Sequence, residues 1–242
     1  MMQRARRIGF GLFTTLAIVG FAGQAPAADS FEVTSIKAVR ATLVDTAAAL
    51  QQGSLPKAKE AFENYDSAWN GVEVYIGTRD KPMYDKIELD LQARIEKEMA
   101  QPMPDMAKLK ADVQEIIGKY DEAIAMVSKA APLNPLFDDV ARLRMVRSHL
   151  REVTPALKAG NIAKAKKSYE AFDSQWDSIE DLIKARSADA YVAIEKGMIQ
   201  IEQALMGDKP DVAKATALIA EVNTQYNAAL ATVAKEARAT IK

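Results

Sequence analysis

The chain has 242 residues, no cysteine and one histidine, and its 32 Lys and Arg are balanced by 33 Asp and Glu. This composition rules out disulfides, thiolate metal sites, covalent haem and cysteine nucleophiles. With no basic tract it also lacks the electrostatic footprint of a nucleic-acid binder.

Residues 1–27 read as a secretory leader. Arg4, Arg6 and Arg7 form a basic start, Ile8 to Phe21 is mostly apolar, and Ala25-Pro26-Ala27 offers a small-residue cleavage site. The apolar run is shorter than the roughly 20 residues that span a bilayer. An exported, periplasmic protein cleaved near Ala27 is expected. Without the three leader arginines, 29 basic residues face 33 acidic ones, a formal charge of −4.

Apolar positions at Ile36, Val39, Leu43, Ala47 and Leu50 recur at helical spacing, and Gly53 ends that run. Ser54 and Pro56 open a second helix that carries Phe62, Tyr65, Trp69, Val72 and Ile76 on one side. Arg79-Asp80-Lys81-Pro82 predicts a turn or sharp kink, because proline pushes its predecessor out of helical geometry. A third helix is predicted from Met83 to Met99. The break at Gln101 to Asp105 precedes a fourth, through Leu109, Val113, Ile116, Ile117, Tyr120 and Ile124. After Ala131 to Pro135 the plan recurs, with helices over Leu143 to Leu157, Ala163 to Arg186, Tyr191 to Met206 and Val212 to Ile241. Asp208 and Pro210 are read as the cap and first-turn proline of the last.

The recurrence is literal. Lys57-Ala58-Lys59, Glu63, Asp66-Ser67, Trp69, Glu73, Ile76, Arg79, Tyr84 and Ile87-Glu88 return without a gap. Their counterparts are Lys164-Ala165-Lys166, Glu170, Asp173-Ser174, Trp176, Glu180, Ile183, Arg186, Tyr191 and Ile194-Glu195. After a one-residue slip, Pro104-Asp105 matches Pro210-Asp211 and Tyr120 matches Tyr226. Internal repetition of this kind defines the architecture. With no period-two alternation, the expected fold is all-α: an internal duplication of two antiparallel four-helix units, eight helices in all, over residues 28–132 and 133–242.

Asp66, Trp69 and Glu73 share one helix face with Phe62 and Ile76, so two carboxylates are aimed at the apolar side. Tyr84 and Glu88 share a face of the next helix. Glu73 and Glu88 are equidistant from the intervening turn and therefore fall at one level, as do Glu180 and Glu195. Carboxylates converging between facing helices hold metals in bundles, and oxygen-only ligands favour hard cations such as ferric iron, manganese or calcium. The candidate ligands are Glu73, Glu88, Glu180 and Glu195, with Asp66, Asp173, Tyr84 and Tyr191 as auxiliaries. The structural alternative is an Arg-Glu packing network, with Arg40 and Arg147 forking onto the glutamates and Arg79 and Arg186 serving nearer the turn. Trp69 and Trp176 read foremost as core anchors, and the lone His149 as a helix-face residue. No nucleophile-base pair or phosphate loop is visible, so no enzyme is expected.

The repeated Tyr/Phe-x-x-Tyr/Phe-Asp-Ser-x-Trp-x-x-Val/Ile-Glu, followed by Arg and Tyr-x-x-Ile-Glu, resembles the helical extracytoplasmic domain found with bacterial high-affinity iron permeases. Ser187, Tyr191, Ile194 and Glu195 fit that pattern best; Asp80 and Pro82 depart from it in the first copy. The resemblance implies iron as the metal, an inner-membrane iron permease or other transporter as the partner, and a free-standing periplasmic component of iron uptake. The rival expectation is a helical interaction or sensor module in which the Arg-Glu network is purely structural.

Overall fold

The computed structural model describes residues 29–241, so the leader expected over residues 1–27 lies outside the described residues. Those residues are mostly helical, with no strand among them. The elements are α1 (Phe31–Gln51), α2 (Leu55–Gly77), α3 (Lys81–Asp85), a π-helical turn (Lys86–Gln92), α4 (Ala93–Met99), α5 (Met106–Lys129), α6 (Leu136–Lys158), α7 (Ile162–Trp176), α8 (Glu180–Lys184), α9 (Ala188–Leu205) and α10 (Val212–Ala239). No helix among the described residues is long and apolar enough to cross a membrane.

Helix ends follow from local chemistry. Gly53 and Gly160 adopt φ of 73° and 71°, a region open to glycine at no Cβ cost. In each case the glycine N–H returns to a carbonyl three residues back, Leu50 or Leu157, and the next N–H reaches Ala49 or Ala156 at 2.9 Å. This double bond pattern closes α1 and α6 alike. Asp80 accepts from the Met83 N–H at 2.9 Å and Ser187 from the Ala190 N–H at 3.1 Å, so corresponding positions cap α3 and α9. Asp105 caps α5. The cap of α10 is Asp211, which accepts from the Lys214 N–H, and not the expected Asp208. Pro210 precedes that cap, where its missing N–H costs nothing.

Packing runs along the chain and then across it. α1 lies against α2 and α5, α6 against α7 and α10, and α9 against α10, while α2 packs directly on α6. Gly71 makes that last approach possible, because a Cβ there would meet the Met145 side chain and stand 3.1 Å from the Ala141 carbonyl oxygen. The core is strongly aromatic. Trp69, Trp176, Tyr65, Tyr75, Tyr120, Tyr226, Phe137 and Phe172 are all buried. Tyr120 packs edge-on to Trp69 and Tyr226 tilts against Trp176, with centroids 5.7 and 6.2 Å apart.

Three predicted helices differ most from expectation. The one expected to begin at Leu143 begins at Leu136, as α6. The third rod starts earlier, at Lys81, and winds as a π-helix in its middle. The expected continuous helix from Ala163 to Arg186 stops at Trp176. Ser178 turns its hydroxyl back onto the Gln175 carbonyl at 2.6 Å, its own N–H takes the same carbonyl, and Ile179 leaves helical geometry at φ −132°. A serine hydroxyl competing for backbone in this way weakens a helix. Because Gly53 and Gly160 sit in the left-handed region with open space around the Cβ position, Gly53→Ala and Gly160→Ala are each expected to cost about 1 kcal/mol of stability through backbone strain alone. Urea unfolding of the single and double variants checks this, and the two losses should add.

Candidate functional site

Each tryptophan ring is almost fully buried, at 1% and 2% exposure, and its N–H must find an acceptor inside the protein. Trp69 Nε1 donates to Glu88 and Trp176 Nε1 donates to Glu195. Tyr84 stacks on Trp69 and Tyr191 on Trp176, with centroids 6.0 and 6.5 Å apart. Both copies thus set a glutamate and a tyrosine against a buried indole. Burial raises the Glu73 carboxyl, with the Glu88 charge adding, and burial raises the Tyr84 hydroxyl, with the Glu73 and Glu88 charges adding.

The first copy goes further. Asp66, Glu88, Gln92 and Glu96 line one wall of a cleft of about 780 Å³, whose other wall is α6 at Ser148, Arg151, Glu152 and Pro155. Gln92, 5% exposed, accepts from the Tyr65 hydroxyl at 3.2 Å and donates to Asp66 and, at 3.2 Å, to Glu96. Burial pushes the Asp66 carboxyl above the ordinary range, Glu96 adds to the rise, and the Gln92 amide opposes it. Burial likewise raises Glu88; the Trp69 N–H opposes, and Asp66 and Glu96 add. Arg151, across the cleft, opposes the rise at Asp66, and Glu152, which accepts from the Ser67 and Ser168 hydroxyls, adds to it, while Lys164 pairs with Glu63.

The remaining candidates are placed differently. Glu73 forms an ion pair with Arg144 of α6, and burial, partly offset by that guanidinium, raises its carboxyl. The break after Trp176 removes Glu180 from the tryptophan's helix and sets it at the start of α8, so it shares no helix face with Asp173. Asp173 is exposed. Glu180 stands by the Tyr191 hydroxyl, whose proton burial and the Glu195 and Glu180 charges hold more tightly. Among the described residues no three Asp, Glu or His side chains stand close enough together to hold a metal ion as placed.

The arginines are also redistributed relative to expectation. Arg40 does not reach the glutamates; it grips Asp121 with two bonds of 2.6 and 2.9 Å, and Arg147 takes Asn227 at 2.9 Å. These residues lie too far around α1 and α6, on the side facing α5 and α10. Arg79 binds buried Glu32 at 2.6 Å and the Ala131 carbonyl at 3.0 Å, while Arg186 lies 3.6 Å from Asp139 and 2.7 Å from Glu236. Glu32 and Asp139 correspond in the repeat. The Leu133 N–H also donates to Glu32, at 2.7 Å, which pins the segment between the copies to the first of them.

Sequence reading missed Gln92, Glu96, Arg144 and Glu152. The one available clue was the one-residue slip in the repeat between Glu88 and Pro104, since an extra residue inside a helix must be absorbed somewhere. It also missed a second cleft, of about 670 Å³, between α2, α6 and α7, where His149 Nε2 lies 3.1 Å from the Gln175 amide nitrogen. The chain matches no family model, no curated protein and no solved structure.

The raised carboxyls have a signed consequence. In the window between the ordinary carboxylate range and the raised values of Asp66, Glu73 and Glu88, the folded protein binds more protons than the unfolded chain. These groups therefore subtract stability as pH rises through that window and restore it as pH falls. Asp66→Asn keeps an acceptor for Gln92 and removes the charge. It is expected to raise the urea midpoint at pH 7, with the gain shrinking towards pH 4; a lower midpoint at pH 7 contradicts the assignment.

Proposed function

We propose that the protein is a non-enzymatic cation carrier that works outside the cytoplasm, built from two copies of one helical unit. Its cargo site is centred on the carboxylates that the first copy presents to the cleft beside α6. The carrying observation is the crowding of Asp66, Glu88 and Glu96 where two of the three hold their protons more tightly than free carboxyls. Ionised carboxylates crowded in this way repel one another, and a cation set between them relieves that repulsion. Capture reorients the acids: Glu88 keeps the Trp69 N–H on one oxygen and offers the other, Asp66 turns from the Gln92 amide, and Glu96 swings inward on its flexible stem. Tyr84, stacked on the indole, steadies it. Glu195, held by Trp176, with Tyr191, Glu180 and Asp173, is the corresponding set in the second copy.

The resemblance to the helical domains of iron permeases supports iron as the cargo and an inner-membrane permease as the receiving partner. A hard, oxygen-seeking probe tests the site directly. Mature protein titrated with terbium(III), read by luminescence sensitised from the adjacent tryptophan, is expected to show saturable binding competed by ferrous or ferric iron. Glu88→Gln and Asp66→Asn should each weaken it by about tenfold or more. Absence of saturable binding overturns the reading.

One observation favours the second reading, an interaction module with a structural ion network: Glu73 is paired across the α2–α6 contact with Arg144. The two side chains keep 23% and 19% exposure, so water softens the loss. Glu73→Gln is expected to cost roughly 1–2 kcal/mol in urea unfolding. Under the carrier reading the same change leaves terbium affinity within a few-fold of the parent.

A further inference from the structure

The two copies meet through unlike surfaces. α2 of the first packs on α6, the opening helix of the second, while among the described residues α1 does not pack on α7 in return, as a two-fold relation would require. A junction of this kind uses each surface once, so the surface type of α2 is left open on α7 and that of α6 is left open on α1.

Side chains on both sides hold the internal junction together. Glu73 pairs with Arg144, Ser67 donates to Glu152, the Tyr75 hydroxyl donates to Asp138 at 2.8 Å, Glu63 pairs with Lys164, and Gly71 makes room for Met145. At the repeat spacing of 107 residues each of these has a counterpart on an open face. The α7–α8 face carries Glu180, Ser174, Leu182, Glu170 and Ser178; the α1–α2 face carries, in the same order, Lys37, Asp45, Phe31, Lys57 and Ala38. The pairs still match. An acid faces a base at Glu180–Lys37 and Glu170–Lys57, and Ser174 again meets a carboxylate, Asp45. Several of these residues differ from their counterparts, yet they differ in concert. The polar Tyr75–Asp138 contact becomes apolar on both sides, as Leu182–Phe31. Opposite the Gly71–Met145 contact, bulk grows on one side and shrinks on the other, as Ser178–Ala38.

The open faces are free to engage. Asp45, Lys57 and Glu170 are exposed, and none of them joins an ion pair among the described residues. Lys37 holds only Asp29, with both side chains about half exposed. Val44 adds apolar surface to α1, at 42% exposure. Asp45, Lys57 and Glu60 border an open groove of about 340 Å³ between α1 and α2. Their counterparts Glu152, Lys164 and Lys167 border the groove on α6 and α7 that α2 covers to form the second cleft. The break in α7 falls at Ser178, the counterpart of Gly71, where α6 presses closest on α2. Glu170 and Ser174 precede that break and keep their helical places, so their pairs need no change of backbone.

We infer that the chain binds a second copy of itself head to tail, the α7–α8 face of one molecule on the α1–α2 face of the next, and so repeats between chains the junction it contains within one. Such a contact leaves an unused face at each end and builds rows, or rings where the rotation closes. It is independent of what the cleft carries.

Sedimentation of the full mature chain over a concentration series is expected to show a mass that rises past the dimer. Lys57→Glu and Glu170→Lys set like charges opposite each other and should each weaken association by about tenfold, while the double variant, with the charges exchanged, recovers it. The chain has no cysteine, so Asp45→Cys and Ser174→Cys introduce unique thiols. Treated with a short bismaleimide, a mixture of the two single variants should yield the cross-linked heterodimer in preference to either homodimer. A protein that stays monomeric throughout overturns the inference and leaves this face to a different partner. Association that ignores both charge swaps, or cross-links that join only like variants, overturns the head-to-tail contact.

Discussion

A buried indole has one polar atom, and in each copy that atom decides where a glutamate goes. Sealing Trp69 and Trp176 in the core removes water from their N–H groups, so an acceptor must come with them, and the adjacent rod supplies Glu88 and Glu195. Glu88 is thereby held at the edge of an apolar core, where burial makes its ionisation costly. The stacked tyrosines, the raised carboxyl of Glu88 and the acidic wall of the cleft all follow from that constraint.

Around this centre the charged groups divide into two kinds. Arg40, Arg79 and Arg186 tie rods together through partners that recur at matching places in the repeat: Asp121, Glu32 and Asp139. Arg186 meets a second carboxylate as well, Glu236. At the Asp66–Glu88–Glu96 corner the carboxylates crowd one another, and the neighbouring Lys164 is already taken by Glu63.

The difference between the copies shows how little change separates an apolar corner from a polar one. Tyr65 for Phe172 and one residue inserted into the third rod suffice to replace an apolar packing contact with a hydrogen-bonded chain that opens on solvent. The substitution supplies a hydroxyl. The insertion rotates an amide into reach of it.

Much of this protein was legible from residue order alone. Three-and-four spacing of apolar residues, glycines at helix ends and capping Asp and Ser residues are local effects governed by a few neighbouring dihedrals, and they placed most of the rods. The break at Ser178 and the winding of Lys86–Gln92 escaped, because each is a contest between local hydrogen bonds and distant packing. Which guanidinium meets which carboxylate was likewise undetermined: Arg144 reaches Glu73 only because Gly71 lets α2 and α6 approach closely. The cleft itself belongs to tertiary structure alone, since its two walls come from segments some 80 residues apart in sequence, such as Ser67 and Glu152, and their meeting depends on how whole helices pack.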